Sequence, residues 1–283
     1  MTLERAAFQR VQHLVRTQGG IVVDEGKEYL VEARLTPLVQ QFQVKRIEEL
    51  VERIDSDPDV KTQIVEAMTT NETSFFRDHR PFDILRTDII PELIKSRANR
   101  RTLEIWSAAC SSGQEPYSLA ILLREHFPAL ASWKIRIHAT DLSTAILNRA
   151  RNANYSQLEV NRGLSAVQLI KNFDRAGLHW ELKPELRAMV EFAPLNLVGQ
   201  WPIMQTFDII FLRNVLIYFD AKTKGSVLHK IGRSLAPDGY MMLGGGENLL
   251  DIDSPFERVS FEKASCYRLA DDKSKAAMVA RPV

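Results

Sequence analysis

Four short strings of this sequence hold polar residues that packing alone leaves unexplained. Ala108-Ala109-Cys110-Ser111-Ser112-Gly113-Gln114-Glu115-Pro116 follows an apolar run. Its small side chains let a ligand approach the backbone, and Pro116 suits the first turn of a helix. Asp141 closes the next apolar run. A carboxylate at that position can accept hydrogen bonds from a ribose diol. It can equally cap a helix over 142–152, and spacing alone leaves the two readings level. Leu212-Arg213-Asn214-Val215-Leu216-Ile217-Tyr218-Phe219-Asp220 closes a third run. Core packing accounts for Val215, Leu216 and Ile217, but not for Arg213 or Asn214. Met68-Thr69-Thr70-Asn71-Glu72-Thr73-Ser74-Phe75-Phe76-Arg77-Asp78 precedes them all. A Thr/Asn cap and two buried phenylalanines explain most of it and leave Arg77 over.

Other chemistries lack their residues. The six histidines are scattered with no H-x-x-x-H pair, and Cys110 and Cys266 have no C-x-x-C or Cys/His neighbourhood. Neither a zinc site nor a framework of disulfides is expected. No Ser/His/Asp or Cys/His constellation stands out. The loop after the first apolar run also lacks G-x-G-x-x-G, which argues against an ordinary dinucleotide site.

The elements that position these strings change character near residue 101. Before it the sequence reads as helices only. Phe8, Val11, Leu14 and Val15 recur at helical spacing, and Gly19-Gly20 stops that helix. Further helices are expected around 29–42, strained by Pro37, then at 47–54, 60–68 and 82–94, the last with Pro81 at its start. The basic stretch 95–101 reads as a solvated linker. Beyond it, apolar runs at 103–109, 134–139, 207–213 and 240–244 read as strands. Helical segments at 116–127, 143–152 and 221–235 lie between them. This alternation predicts an α/β domain with a mostly parallel sheet. In such a sheet ligands bind beyond the carboxyl ends of the strands, where three of the four strings fall. Two β-like runs, 256–261 and 265–269, predict a C-terminal antiparallel hairpin at the sheet edge. Residues 179–190, with Pro184 inside, read as a loop or a small antiparallel insertion. The end of the chain, from 271, is polar.

Composition narrows the function classes. The 283 residues are 45% hydrophobic and 26% charged, ordinary values for a globular chain of about two domains. Thirty-seven basic against 36 acidic residues leave a net charge of +1, so bulk charge does not bind a polyanion. No apolar run reaches the roughly 20 residues that span a bilayer, and no signal peptide is visible. A cytoplasmic protein is expected, with no membrane insertion and no nucleic acid partner.

Residues 68–78, 106–118 (WSAACSSGQEPYS), 139–142 (ATDL) and 207–220 (FDIIFLRNVLIYFD) together resemble the signature blocks of the CheR family. These are chemoreceptor glutamate O-methyltransferases that use S-adenosylmethionine. The blocks occur in family order, and the resemblance extends from Gly20-Ile21-Val22 to the final hairpin. It implies a Rossmann-like class I methyltransferase domain with a small β insertion, joined to a small all-helical N-terminal domain. On this chain the expected division is 1–80 helical, 81–101 helix and linker, 102–272 methyltransferase with the insertion about 174–192, and 273–283 a polar tail.

By position within the motifs, the resemblance puts cofactor contacts on Asn71, Thr73, Arg77, Glu115, Asp141, Asn196, Leu197, Leu212 and Arg213. Tyr218 matches the family tyrosine near the transferred methyl. Arg77 and Tyr218 are the candidates for catalytic roles. The implied partners are cytoplasmic domains of chemoreceptors, and the enzyme is expected to be a monomer. Two features differ from the family pattern. The second helix carries one basic residue, Arg34, with Lys45 and Arg46 after it, where receptor-docking helices often carry several. The insertion is short for a member that binds a tethering C-terminal pentapeptide, so pentapeptide-independent methylation is expected. The rival readings are a non-catalytic S-adenosylmethionine-binding signalling module, a nucleic-acid methyltransferase and a nicotinamide dehydrogenase. Neutral charge and the absence of N-P-P-Y, Pro-Cys and glycine fingerprints oppose the last two.

Overall fold

A computed structural model describes residues 3–261 and 265–270. The polar tail expected at 273–283 lies outside the described residues. Helices α1 (Arg5–Gly19), α2 (Glu28–Gln41), α3 (Ile47–Glu52) and α4 (Pro58–Ala67) form the N-terminal region. Phe8, Val11, Leu14 and Val15 fall on one face of α1 and are buried against Val31, Leu35, Leu50 and Ile64. The Asp57 side chain accepts from the N–H groups of Asp59 and Val60 and starts α4 at Pro58. Helix α2 runs through Pro37. Proline offers no N–H to the preceding turn, but burial of Val31, Leu35 and Leu38 along the same face holds the helix across it.

The single helix expected at 82–94 is broken. It consists of α5 (Arg80–Ile84), a π turn over Leu85–Ile89, and α6 (Ile90–Ser96). Pro91 cannot donate to the turn before it, and the wider turn sits where that hydrogen bond is missing. The stretch at 95–101 is not a solvated linker throughout. Arg97 is buried, donates to Asp208 at 2.9 Å and pairs with Asp238, while Arg100 also pairs with Asp208. Asp208 lies within an otherwise apolar strand and needs that compensation.

The second region alternates strands and helices. In chain order they are β1 (Thr102–Ala108), α7 (Gln114–His126), β2 (Lys134–Asp141), α8 (Thr144–Asn152), β3 (Asn154–Ser156), α9 (Gln157–Asn161) and α10 (Ala166–Asn172). Then come β4 (Phe173–Ala176), β5 (His179–Leu182), α11 (Pro184–Arg187), β6 (Val190–Pro194), β7 (Phe207–Leu212), α12 (Ala221–Ser234), β8 (Leu235–Met242), β9 (Phe256–Ser260) and β10 (Ser265–Leu269). The main sheet has the order β6-β2-β1-β7-β8-β10-β9. Strands β6, β2, β1, β7 and β8 are parallel, and β10 and β9 close the edge as an antiparallel hairpin.

Three details depart from the periodicity reading. Strand β8 begins at Leu235, not near 240. Its ladder with β7 jumps from Leu235 opposite Phe207 to Tyr240 opposite Ile209. Residues 236–239 therefore bulge, which accommodates Pro237. The run at 190–194 is a strand of the main sheet, paired parallel to β2. Its alternate residues are exposed at a sheet edge, so it carries no continuous apolar signal. The insertion is a three-stranded antiparallel sheet, β3-β5-β4, that draws Asn154–Ser156 from well upstream. Residues 187–190 take no part in it.

Candidate active site

The strand order reverses beside β1, whose neighbours are β2 and β7. A cavity opens there beyond the carboxyl ends of β1, β2, β6 and β7. Its walls come from residues 109–115, 141–142, 195–197 and 213–219, and its roof from Gly19, Ile21 and residues 68–73 with Arg77. Of the residues singled out in the sequence, Asn71, Thr73, Arg77, Glu115, Asp141, Asn196, Leu197, Arg213 and Tyr218 all line it. Leu212 does not. It is wholly buried in the core with Trp106 and Ile210.

The backbone bends sharply around the cavity. Phe76, Asp78 and His79, then Ala109 and Ser111, and finally Asn214 all have positive φ without being glycine. Such residues cluster where surrounding structure over-determines a loop. The roof segment is anchored by aromatic packing. Phe75 meets Tyr155 and Phe173 edge-on, with ring centroids 5.0 and 5.5 Å apart. The Phe76 N–H donates to Ser118 Oγ at 2.9 Å. Gly113, at φ 92°, opens α7, and a Cβ there would press on Ala150 and Tyr117 at 3.1 Å.

On the β2 side, Asp141 is buried. Its Oδ2 accepts from the Ser111 N–H at 2.8 Å and its Oδ1 from the Ser143 N–H at 3.0 Å. The cap of α8 is Ser143, whose Oγ accepts from the Ile146 N–H. The capping alternative left open by spacing is therefore filled by Ser143 rather than Asp141. Burial pushes its carboxyl above the usual aspartate range, and the donations from Ser143, Ser111 and Leu142 pull it partly back.

On the β7 side the charges are paired. Arg213 donates to Glu115 Oε2 at 2.9 Å, to Asp78 Oδ2 at 2.7 Å and to the Arg77 carbonyl at 2.8 Å. Ser107 Oγ donates to Glu115 Oε1 at 2.7 Å. Burial raises the Glu115 carboxyl, against the lowering influence of Arg213. Arg213 Nε is the one buried side-chain polar atom among the described residues without a hydrogen-bond partner.

The helical region closes the cavity from above. The Val22 N–H donates to the Tyr218 carbonyl at 2.9 Å, and Asn196 Nδ2 donates to the Gln18 carbonyl at 2.5 Å. Gly20 has φ 70°, and a Cβ there would meet Val198 at 2.6 Å. Arg34 does not reach out from α2. It donates to the carbonyls of Met68 and Thr69 at 2.5 and 2.6 Å and to Thr70 Oγ1 at 2.7 Å, holding the roof. Sequence reading passed over Asp78 and Ser111. Asp78 lay inside a quoted string, and its acidity beside Arg77 was the available signal.

Two family models cover most of the chain. The CheR methyltransferase SAM binding domain matches residues 71–265, and the CheR methyltransferase all-alpha domain matches residues 6–69. The chain is 41% identical over 273 residues to "Chemotaxis protein methyltransferase 1" of Pseudomonas aeruginosa, covering 95% of this chain and 99% of that one. It is 40% identical to "Chemotaxis protein methyltransferase Cher2" of Pseudomonas putida, covering 92% and 97%. A "Chemotaxis protein methyltransferase" of Borreliella burgdorferi is 33% identical, with 88% and 90% covered. No helix among the described residues is long and apolar enough to cross a membrane.

Proposed function

The chain belongs to the CheR methyltransferase family, a premise from which we propose that it transfers methyl groups to glutamate carboxylates of chemoreceptor cytoplasmic domains. Methylation in chemotaxis with S-adenosylmethionine as cofactor follows from that membership. The identity of the methylated group and of its carrier is the proposed part. The observation that carries the site assignment is Asp141. It is a buried carboxylate at the end of β2 that accepts hydrogen bonds from two backbone N–H groups and is not used as a helix cap.

The residues present fit the cofactor. A carboxylate oxygen has more than one acceptor site, so Asp141 retains capacity for the ribose hydroxyls. Arg213, held in the wall by Glu115 and Asp78, places a fixed cation beside the carboxylate of the cofactor's methionine portion. Asn71, Thr73, Glu115, Asn196 and Leu197 complete the walls, and Leu212 would contribute through its backbone alone.

When bound, S-adenosylmethionine supplies an electrophilic methyl group on its sulfonium. The protein's part is positioning. A glutamate side chain is ionised at pH 7, so the acceptor needs no strong base, consistent with the lack of a nucleophile–base pair in the cavity. We assign to Arg77 the orientation of the incoming carboxylate and to Tyr218 its alignment with the reacting carbon, a reading supported by their place in the cavity lining.

Incubation with labelled S-adenosylmethionine and receptor cytoplasmic domains tests the reading. Label released as methanol by base and mapped to glutamate is the expected result. Label on lysine, or on none of the receptor domains tried, refutes it. We also propose that tethering through a receptor C-terminal pentapeptide is not required. The edge strand β4 of the insertion has only four residues, which supports this.

A further inference from the structure

Glu66 lies in the last turn of α4, in the helical region, yet its carboxylate serves the sheet domain. Its Oε1 accepts from the Thr144 N–H at 2.9 Å and from Thr144 Oγ1 at 3.1 Å, and its Oε2 accepts from Ser143 Oγ at 3.0 Å. These residues open α8. The Ser143 N–H donates in turn to Asp141 Oδ1 at 3.0 Å. Three residues thus form a chain, from Glu66 through Ser143 to Asp141. The backbone of Glu66 is engaged as well: its carbonyl accepts from the Thr69 N–H at 3.1 Å and Thr69 Oγ1 at 2.7 Å, which shapes the roof.

The arrangement exceeds what capping α8 requires. Ser143 already caps that helix through the Ile146 N–H. An added carboxylate at a helix N-terminus is favourable. This one, however, also sits close enough to Asp141 to add to the upward push on its carboxyl. Two nearby carboxylates cost free energy, and the contact that offsets the cost is the grip on residues 143–144.

We propose that Glu66 is a positioning residue for the cofactor: by holding Ser143 and Thr144 from the helical region, it fixes Asp141 in the orientation that accepts the ribose hydroxyls. This rests on the assignment of Asp141 made above. It makes the helical region part of the cofactor site. Cofactor affinity is then sensitive to a residue that touches no ligand.

The test uses the full chain and four variants: Glu66→Ala, Glu66→Gln, Asp141→Ala and the Glu66→Ala/Asp141→Ala double. Calorimetry with S-adenosylhomocysteine gives Kd, and methyl transfer at saturating cofactor gives kcat. Glu66→Ala is expected to weaken binding about tenfold, the lower end for residues that orient a ligand-holding group, and to leave kcat within about twofold. Glu66→Gln keeps an acceptor for the Thr144 N–H and is expected to give an intermediate Kd. In the Asp141→Ala background the loss of Glu66 is expected to add less than about twofold, because the two act through one contact. Should Glu66→Ala fail to fold, Glu66→Gln carries the test, and an unchanged Kd in that variant overturns the proposal. Weaker binding in Asp141→Ala but not in Glu66→Ala overturns the role of Glu66 alone. So do additive losses in the double variant. Unchanged binding in Asp141→Ala overturns the cofactor assignment and this proposal together.

Discussion

The two sides of the cavity handle buried charge in opposite ways. On the β7 side, Glu115 and Asp78 share the single cation of Arg213, whose Nε alone has no hydrogen-bond partner. On the β2 side, Asp141 is held by backbone N–H groups with no cation among its hydrogen-bond partners. Burial raises both carboxyls, Glu115 and Asp141. The difference lies in what remains available. The first side is an ion-paired wall whose guanidinium donors are turned toward its own carboxylates. The second is an acceptor with spare capacity, suited to hydroxyls.

The comparison breaks most visibly at Arg213. Arg213→Met strands Glu115 in the cavity wall, and removing one partner of a buried pair costs about 3–5 kcal/mol. Urea unfolding is expected to register that loss, and Glu115→Gln added to it is expected to recover part. A loss below about 1 kcal/mol would mean that the pair is too well solvated to be the closed wall described here. The next largest effect is on binding. Asp141→Ala removes charge-assisted hydrogen bonds worth about 1.5–3 kcal/mol each. Affinity for S-adenosylhomocysteine should fall at least about tenfold, with a smaller change in stability than Arg213→Met produces. Calorimetry on the folded variant checks both halves of the contrast.

The two sides also differ in how legible they were. Asp141, Arg213 and Tyr218 were readable because each sits at the end of an apolar run, and strand ends face the ligand in an open parallel sheet. Their partners were not. Asp78 reaches Arg213 across 135 positions, and Glu66 reaches Ser143 across 77. Nothing local marks such pairs, which exist only once two regions pack. The same limit hid Arg97, whose partners Asp208 and Asp238 come from distant strands. Strand β6 was missed for a different reason: an edge strand with exposed alternate residues resembles a loop. Pro91 was passed over in the helix expected at 82–94, and its effect, a π turn within a helix rather than a stop, depends on buried neighbours such as Ile89 and Ile90.

Acidity separates the sides further. The Asp141 carboxyl lies above its ordinary value of 3.8 because burial penalises its charge. Hydroxyl donors from a ligand favour the charged form and lower that value again. Binding is therefore coupled to loss of a proton, and affinity must fall as pH drops through the raised value. S-adenosylhomocysteine affinity measured from pH 8 downward should begin to weaken above the usual aspartate range. In Asp141→Ala that slope should vanish. A slope that persists in the variant would place the titrating group elsewhere, with Glu115 the first candidate. Tyr218→Phe bears on chemistry rather than binding. Methyl transfer at saturating cofactor should slow by about tenfold, while cofactor Kd stays within about twofold.

The smallest effect is expected at the edge strands of the insertion. Strand addition needs an edge long enough to pair with the peptide and pockets for alternate side chains. The insertion offers β4 on one side and the three-residue β3 on the other. On β4 only Phe173 is buried, and residues 174–176 are exposed. Its partner β5 is already paired on both sides, with Tyr155 opposite Trp180 and Arg175 opposite the same residue. A five-residue peptide laid on β4 would gain few ladder hydrogen bonds to repay the ordering of its backbone. Titration of a receptor C-terminal pentapeptide should give no binding at micromolar concentrations, and receptors with and without that tail should be methylated at rates within about twofold of each other. Micromolar binding that disappears when residues 174–182 are replaced by a Gly/Ser linker in a folded protein would show that this short edge suffices.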